Sequence, residues 1–337
     1  MTIEEDDVLL NITGDSVARC CIVPNEVLPA RVNQHVAIIR ADKNRVNPRY
    51  LKYSLLYQKD TLLTFSEIGA TRRALTKGML ESFEIPVPAL PEQEAIAEVL
   101  SSLDDKIDLL HRNNKTLEQL AETVFRQWFV EDAEDQWDDV PLSTIATHIK
   151  QSVNPGALPN SLFYHYSLPA YDNGQIPEKS LGQDILSNKY RVAPGQVLIS
   201  KLNPGTSRVW FILECQDVSI CSTEFQVFAS KKDIYQEFTY CLLKSNDTTD
   251  ILKGAASGTS GSHQRVNPEL ICNLTFKMPP EKKITRFHEK ASGLLEKVSK
   301  NRAQIGYLET LRDTLLPKLM SGAVKVNNLN LYEKDHW

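Results

Sequence analysis

The stretch PEQEAIAEVLSSLDDKIDLLHRNNKTLEQLAETVFRQW, Pro91–Trp128, decides how this chain folds. Its apolar residues Ile96, Leu100, Leu103, Ile107, Leu110, Leu117, Ala121, Val124 and Trp128 alternate spacings of four and three, interrupted only at Asn114. A heptad kept over more than four repeats predicts a coiled-coil seam rather than an ordinary surface helix. Pro91 suits a first helical turn through its fixed φ, and Glu92 beside it complements the positive end of the helix dipole.

A second stretch carries the same pattern. After Pro280 come Ile284, Phe287, Ala291, Leu294, Val298, Ile305, Leu308, Leu315 and Leu319, broken at Asn301, with Arg312 at one further seam position. Pairing residues whose numbers sum to 415 gives each seam position an antiparallel partner: Ile96 with Leu319, Ile107 with Leu308, Leu117 with Val298, Trp128 with Phe287. In that register Asn114 meets Asn301. A buried asparagine pair costs stability but fixes register, because a slip leaves its amides unpaired. A one-heptad slip is the rival register, and two amphipathic helices on separate cores are the rival architecture. At ~1.5 Å per residue, roughly 33 paired residues make a rod of about 50 Å.

The segments before the two helices repeat. DVLLNITGDSVARCCIV from Asp7 parallels QVLISKLNPGTSRVWFIL from Gln196 at an offset of 189, and Ile85, Val87 and Pro91 map onto Leu274, Phe276 and Pro280 at the same offset. A period this long marks a duplicated domain, not a solenoid. Val140–Gly195 has no counterpart ahead of Asp7, so the first copy is expected to be partial. Each copy reads as mixed α/β, with DVLLNIT, HVAIIRA and FEIPVP as strands, PRYLKYSLLYQ as a helix, and four Asn-Pro pairs (from Asn47, Asn154, Asn203 and Asn267) as turn initiators. LFYHYSL, with Tyr164, His165 and Tyr166, alternates like a packed strand. The expected fold class is α+β: residues 1–90 a partial first domain, 91–132 a helix, 133–279 a second domain, 280–321 a second helix, and 322–337 a tail, with pseudo-twofold symmetry.

The net charge of −5 argues against a uniformly basic surface, but charge on one face sets attraction to nucleic acid. No run of about 18 apolar residues spans a membrane, and the acidic start is unlike a signal peptide. Six cysteines without CxxC spacing read as reduced core residues of a cytoplasmic protein. No GxxxxGK[ST], no GxGxxG after a strand and no Asn-Pro-Pro-aromatic run is present, and the Ser and His of GTSGSH are neighbours in a loop, not a triad.

Two loops carry recognition chemistry. ATRRALTKG, Ala70–Gly78, offers Thr71, Arg72, Arg73 and Lys77 without an acid, and ASGTSGSHQR, Ala256–Arg265, offers Ser257, Thr259, Ser262, His263, Gln264 and Arg265. Arginine can grip guanine, glutamine adenine, and hydroxyls phosphate. A solvated loop is the plainer reading of both. Lys201, Asn203, Thr206, Ser207 and Arg208, and in the first copy Asn11, Thr13, Asp15, Ser16 and Arg19, follow a strand and suit either a groove or a plain turn.

GATRRALTKGMLESFEIPVPALPEQEAIAEVLSSLDDKIDLL (Gly69–Leu110), TLEQLAETVFRQWFVE and LRDTLLPKLMSGAVKV resemble the specificity subunits of type I restriction–modification systems, over essentially the whole chain. The resemblance implies a non-catalytic subunit with two target recognition domains, each reading one half of a split site on double-stranded DNA. It implies docking to methyltransferase subunits, two of them, and through these to restriction subunits. It places S-adenosylmethionine on the methyltransferase and ATP and Mg on the restriction subunit, with no cofactor in this chain. The incomplete first copy departs from that family. The competing reading is a coiled-coil adaptor, or a decayed specificity subunit, that does not bind DNA.

Overall fold

Three short apolar strands, Val8–Asn11 (β1), Cys20–Ile22 (β2) and Val36–Ile39 (β3), form an antiparallel sheet in the order β2-β1-β3. Period-two alternation puts Val8 and Leu10 fully inside, against Leu51, Leu55 and Leu62 of two helices, Pro48–Tyr57 (α1) and Lys59–Glu67 (α2). A third helix, Lys77–Glu81 (α3), is capped by Thr76, whose hydroxyl accepts from the Met79 N–H. The long helix Leu90–Arg126 (α4) follows. The computed structural model describes residues 2–67, 73–256 and 264–326. It divides into two units, Met1–Asp108 with Tyr307–Trp337 and Leu109–Gly306.

The second unit opens with Asp139–Pro141 (β4), Ala146–Ile149 (β5), Ser152–Val153 (β6), Leu162–Tyr166 (β7), the helix Leu168–Asp172 (α5), Glu178–Leu181 (β8) and Lys189–Arg191 (β9). Gln196–Ser200 (β10), Val209–Ile212 (β11), Ser219–Cys221 (β12) and Phe225–Ser230 (β13) lead to the helices Gln236–Lys244 (α6), Asn246–Gly254 (α7) and Pro268–Cys272 (α8). Thr275–Lys277 (β14) and the second long helix, Glu281–Met320 (α9), close the order. An antiparallel sheet β11-β10-β13-β5 carries the core, and a mixed sheet β6-β9-β12-β7-β8 lies beside it in sequence, with β12 and β7 parallel. Thus β2-β1-β3 of the first unit matches β11-β10-β13 of the second, and the fold is α+β with paired long helices.

The helices run antiparallel within each unit. In the first, Ile96 and Leu100 share a core with Leu315 and Leu319. In the second, Asn301 Nδ2 donates to Asn114 Oδ1 at 2.8 Å with both side chains buried, and Ala121 and Phe125 pack with Ile284, Phe287 and Ala291.

Three sequence expectations need correction. FEIPVP is not a strand: β14, its counterpart, pairs with β4, whereas no strand among the described residues pairs with residues 83–88. Pro86 and Pro88 lack the N–H a ladder needs. Two of the four Asn-Pro pairs are helix caps rather than turns, since Asn47 Oδ1 accepts from the N–H groups of Arg49 and Tyr50, and Asn267 Oδ1 from that of Glu269. Near the end of α4 the predicted stripe is incomplete: Trp128 meets Phe287 as the register predicts and Val124 packs on the same core, but Phe125 and Phe129 are the more deeply buried residues and meet Phe238 and Phe287 tilted or edge-on. A π-helical turn follows over Gln127–Glu131, and across the seam Leu295 is more deeply buried than Leu294.

Candidate nucleic-acid interface

In both units the same backbone pattern presents the candidate loops. The first strand of each repeat, β1 or β10, runs into a residue in the left-handed region: Gly14 at φ 76° and Asn203 at φ 50°. Gly and Asn are the residue types that tolerate this region, and the bend aims the following N–H sideways. The Gly14 N–H donates to the Arg73 carbonyl at 3.2 Å, and the Asn203 N–H to the Gln264 carbonyl at 2.9 Å. One step on, Leu75 N–H donates to Ile12 O at 2.8 Å and Val266 N–H to Lys201 O at 2.9 Å. Between these bonds lie the bridges Thr13–Ala74 and Leu202–Arg265.

A third segment completes each edge. Ile12 N–H donates to His35 O, and Lys201 N–H to Glu224 O, both at 2.9 Å. His35 and Glu224 stand just before β3 and β13. They were not among the sequence candidates, although the constant offset of 189 relates them and could have found them. The loops correspond as Arg73 to Gln264 and Ala74 to Arg265, with the caps Thr76 and Asn267 next in line.

Side chains dress the two edges differently. In the first unit Thr13 Oγ1 and His35 Nδ1 share a hydrogen bond of 2.7 Å, and Asn11 Nδ2 donates to Ser16 Oγ at 2.7 Å. Arg73 pairs with Glu67 at 2.7 Å, and Lys77, 88% exposed, lies 3.5 Å from Glu81. Asp15 and Arg19 are exposed. In the second unit Arg265 Nε and Nη2 donate to the two oxygens of Glu224 at 3.3 and 3.0 Å, and the arginine side chain stays 54% exposed. Lys201 and Gln264 are half-buried, and Thr206 N–H closes a turn onto Asn203 O. Arg208 is held by Asp172, which accepts from its Nε and Nη2 at 2.7 and 2.9 Å, and its side chain is only 16% exposed. The pair joins the start of β11 to α5. Thr71, Arg72, Ser257, Thr259, Ser262 and His263 lie outside the described residues.

In each unit a half-buried charge cluster joins a neighbouring helix to α4. In the first unit Asp104 accepts from Lys52 at 2.6 Å, Tyr53 at 2.7 Å and Arg312 at 3.1 Å. In the second, Lys244 lies 2.9 Å from Glu118 and 2.8 Å from Glu122, and Arg302 also donates to Glu118. Burial pushes the Glu118 carboxyl up, but Lys244 and Arg302 outweigh it and hold the group below its ordinary value. Within each unit, then, a lysine of a neighbouring helix pairs with a carboxylate of α4.

The LFYHYSL strand is β7: Tyr166 is buried against Trp210, and burial pushes His165 down to about 4. All six cysteines are free thiols, with Cys221 and Cys241 buried. Among the described residues no group of His, Cys, Asp or Glu could hold a metal ion, and no helix is long and apolar enough to cross a membrane.

A family model described as type I restriction modification DNA specificity domain matches residues 1–119. The type I restriction enzyme HindI specificity subunit of Haemophilus influenzae is 24% identical, over 96% of this chain and 87% of its own length. The MjaIX specificity subunit of Methanocaldococcus jannaschii is also 24% identical, over 85% and 71%. In fold, the chain resembles the crystal structure of a type I restriction–modification S subunit from M. genitalium, with a TM-score of 0.57 at 16% identity over 94% of this chain and 83% of that one.

Proposed function

We propose that the chain is a non-catalytic specificity subunit of a type I restriction–modification system, as its similarity to that family's model and to the two specificity subunits supports, and that its two edges read the two halves of a bipartite site on double-stranded DNA. The observation that carries this reading is the common backbone ladder, Gly14–Arg73 and Asn203–Gln264, bearing unlike side chains. Shared geometry with different donors and acceptors is what two readers of different sequences require, because backbone contacts position a protein and side chains at base edges specify. Arg73, Lys77 and Thr13 serve the first edge; Lys201, Gln264 and Arg265 serve the second. The masking of positive charge by Glu67 and Glu224 fits a surface whose affinity is completed by partners.

Those partners are methyltransferase subunits, two of them, and restriction subunits held through the methyltransferase. S-adenosylmethionine then belongs to the former, and ATP with Mg to the latter. Filter binding with methyltransferase subunits present tests the proposal. It predicts retention that falls with salt and prefers one split sequence over random DNA. Equal retention of every sequence, or none, favours the coiled-coil adaptor.

A further inference from the structure

We propose that Glu224 is a positioning residue that aims the free edge of Arg265 at a base, and so sets specificity in the second unit. The inference rests on the DNA-reading function above and goes beyond it by assigning a role to a residue outside the recognition loops. A guanidinium has two edges able to donate two parallel hydrogen bonds: Nε with Nη2, and Nη1 with Nη2. Glu224 occupies the first, with Nε to Oε2 at 3.3 Å and Nη2 to Oε1 at 3.0 Å. Among the described residues no partner occupies the second, and the arginine side chain is 54% exposed while Glu224 is 26% exposed.

Three features distinguish this pair from the other arginine–carboxylate pairs of the interface. Asp172 binds the same edge of Arg208, but there the arginine side chain is only 16% exposed. Glu67 is the partner of Arg73 on the neighbouring helix α2, not on the loop edge itself. Glu224, by contrast, is tied into the edge by its own carbonyl, which accepts from Lys201 N–H at 2.9 Å, while Arg265 bridges Leu202. Both partners are thus set by the backbone ladder. A carboxylate here also repels phosphate, so it disfavours the arginine's use as a general backbone contact. A guanine, with O6 and N7 both accepting, matches the free edge.

Binding to the split site found for the wild-type protein, and to random DNA, is measured across a salt series with methyltransferase subunits present. E224Q is expected to lower the ratio of specific to random binding about tenfold, while random-DNA affinity holds or rises and its salt dependence steepens as the freed arginine reaches a phosphate. R265A should lose the same discrimination, and E224Q/R265A should lose no more than R265A alone. A purely structural role predicts instead that E224Q weakens specific and random binding together, or that the two substitutions add; either result overturns the assignment. So does an E224Q or R265A protein as selective as wild type. A wild-type complex without selectivity sinks the underlying function instead, a distinct outcome.

Discussion

At Arg208, Arg265 and Gln264 the same sequence logic meets different surroundings. All three stand in polar loops beside the first strand of a repeat; residue type made Arg265 and Gln264 candidate base readers and left Arg208 between a groove contact and a plain turn. The structure separates them by what already occupies their donors. Arg208→Ala should leave site preference unchanged and lower stability by about 1 kcal/mol, since Asp172 is half-exposed and its pairing is screened; thermal melting with methylation of the unaltered target checks both halves of that statement. Gln264→Ala should relax choice at one base of one half-site by about 1–3 kcal/mol, read as affinity for the mismatched against the matched sequence. Arginines were legible as candidates, whereas their partners were not, because Glu224 and Asp172 are 41 and 36 residues away and no local pattern brings them near.

For the long helices, what the sequence reveals depends on periodicity. Asn114 and Asn301 were readable because each interrupts an apolar stripe at a position that antiparallel pairing brings together. Phe125 and Phe129 were not, because the heptad predicts Val124 and Trp128 while Phe238 of α6, distant in sequence, gives Phe125 and Phe129 an aromatic partner. Replacing Asn114 alone by Ala should cost about 1–3 kcal/mol, since it strands the buried amide of Asn301, whose Oδ1 already lacks a partner. Replacing both by Val should raise the denaturation midpoint and weaken the choice of register.

Glu118 gives the same element a pH signature. Its folded-state carboxyl lies below its ordinary value, so its contribution to stability is full above that ordinary value and is lost as pH falls through the depressed one. Glu118→Gln should therefore lower stability at neutral pH and flatten the acid side of a stability–pH curve measured by urea titration. Lys244→Met, which breaks a buried cluster from the other side, should cost about 3 kcal/mol.

For the whole molecule, the duplication is the central fact. The offset of 189 relates the first strands of the two edges, down to the paired left-handed residues Gly14 and Asn203, while the loops opposite them correspond at 191, as Arg73 does to Gln264. What it could not reveal is the chemistry each edge presents, because the backbone ladder is shared and the side chains diverge. Function in this account is that divergence carried on a common frame. The direct test is sequencing-based mapping of methylated adenines on genomic DNA, after reconstitution with methyltransferase subunits, for the wild type and for Gln264→Ala/Arg265→Ala. The account predicts a split recognition sequence in which the double substitution changes bases in one half and leaves the other intact. Methylation without a split sequence, or a change spread over both halves, would contradict it.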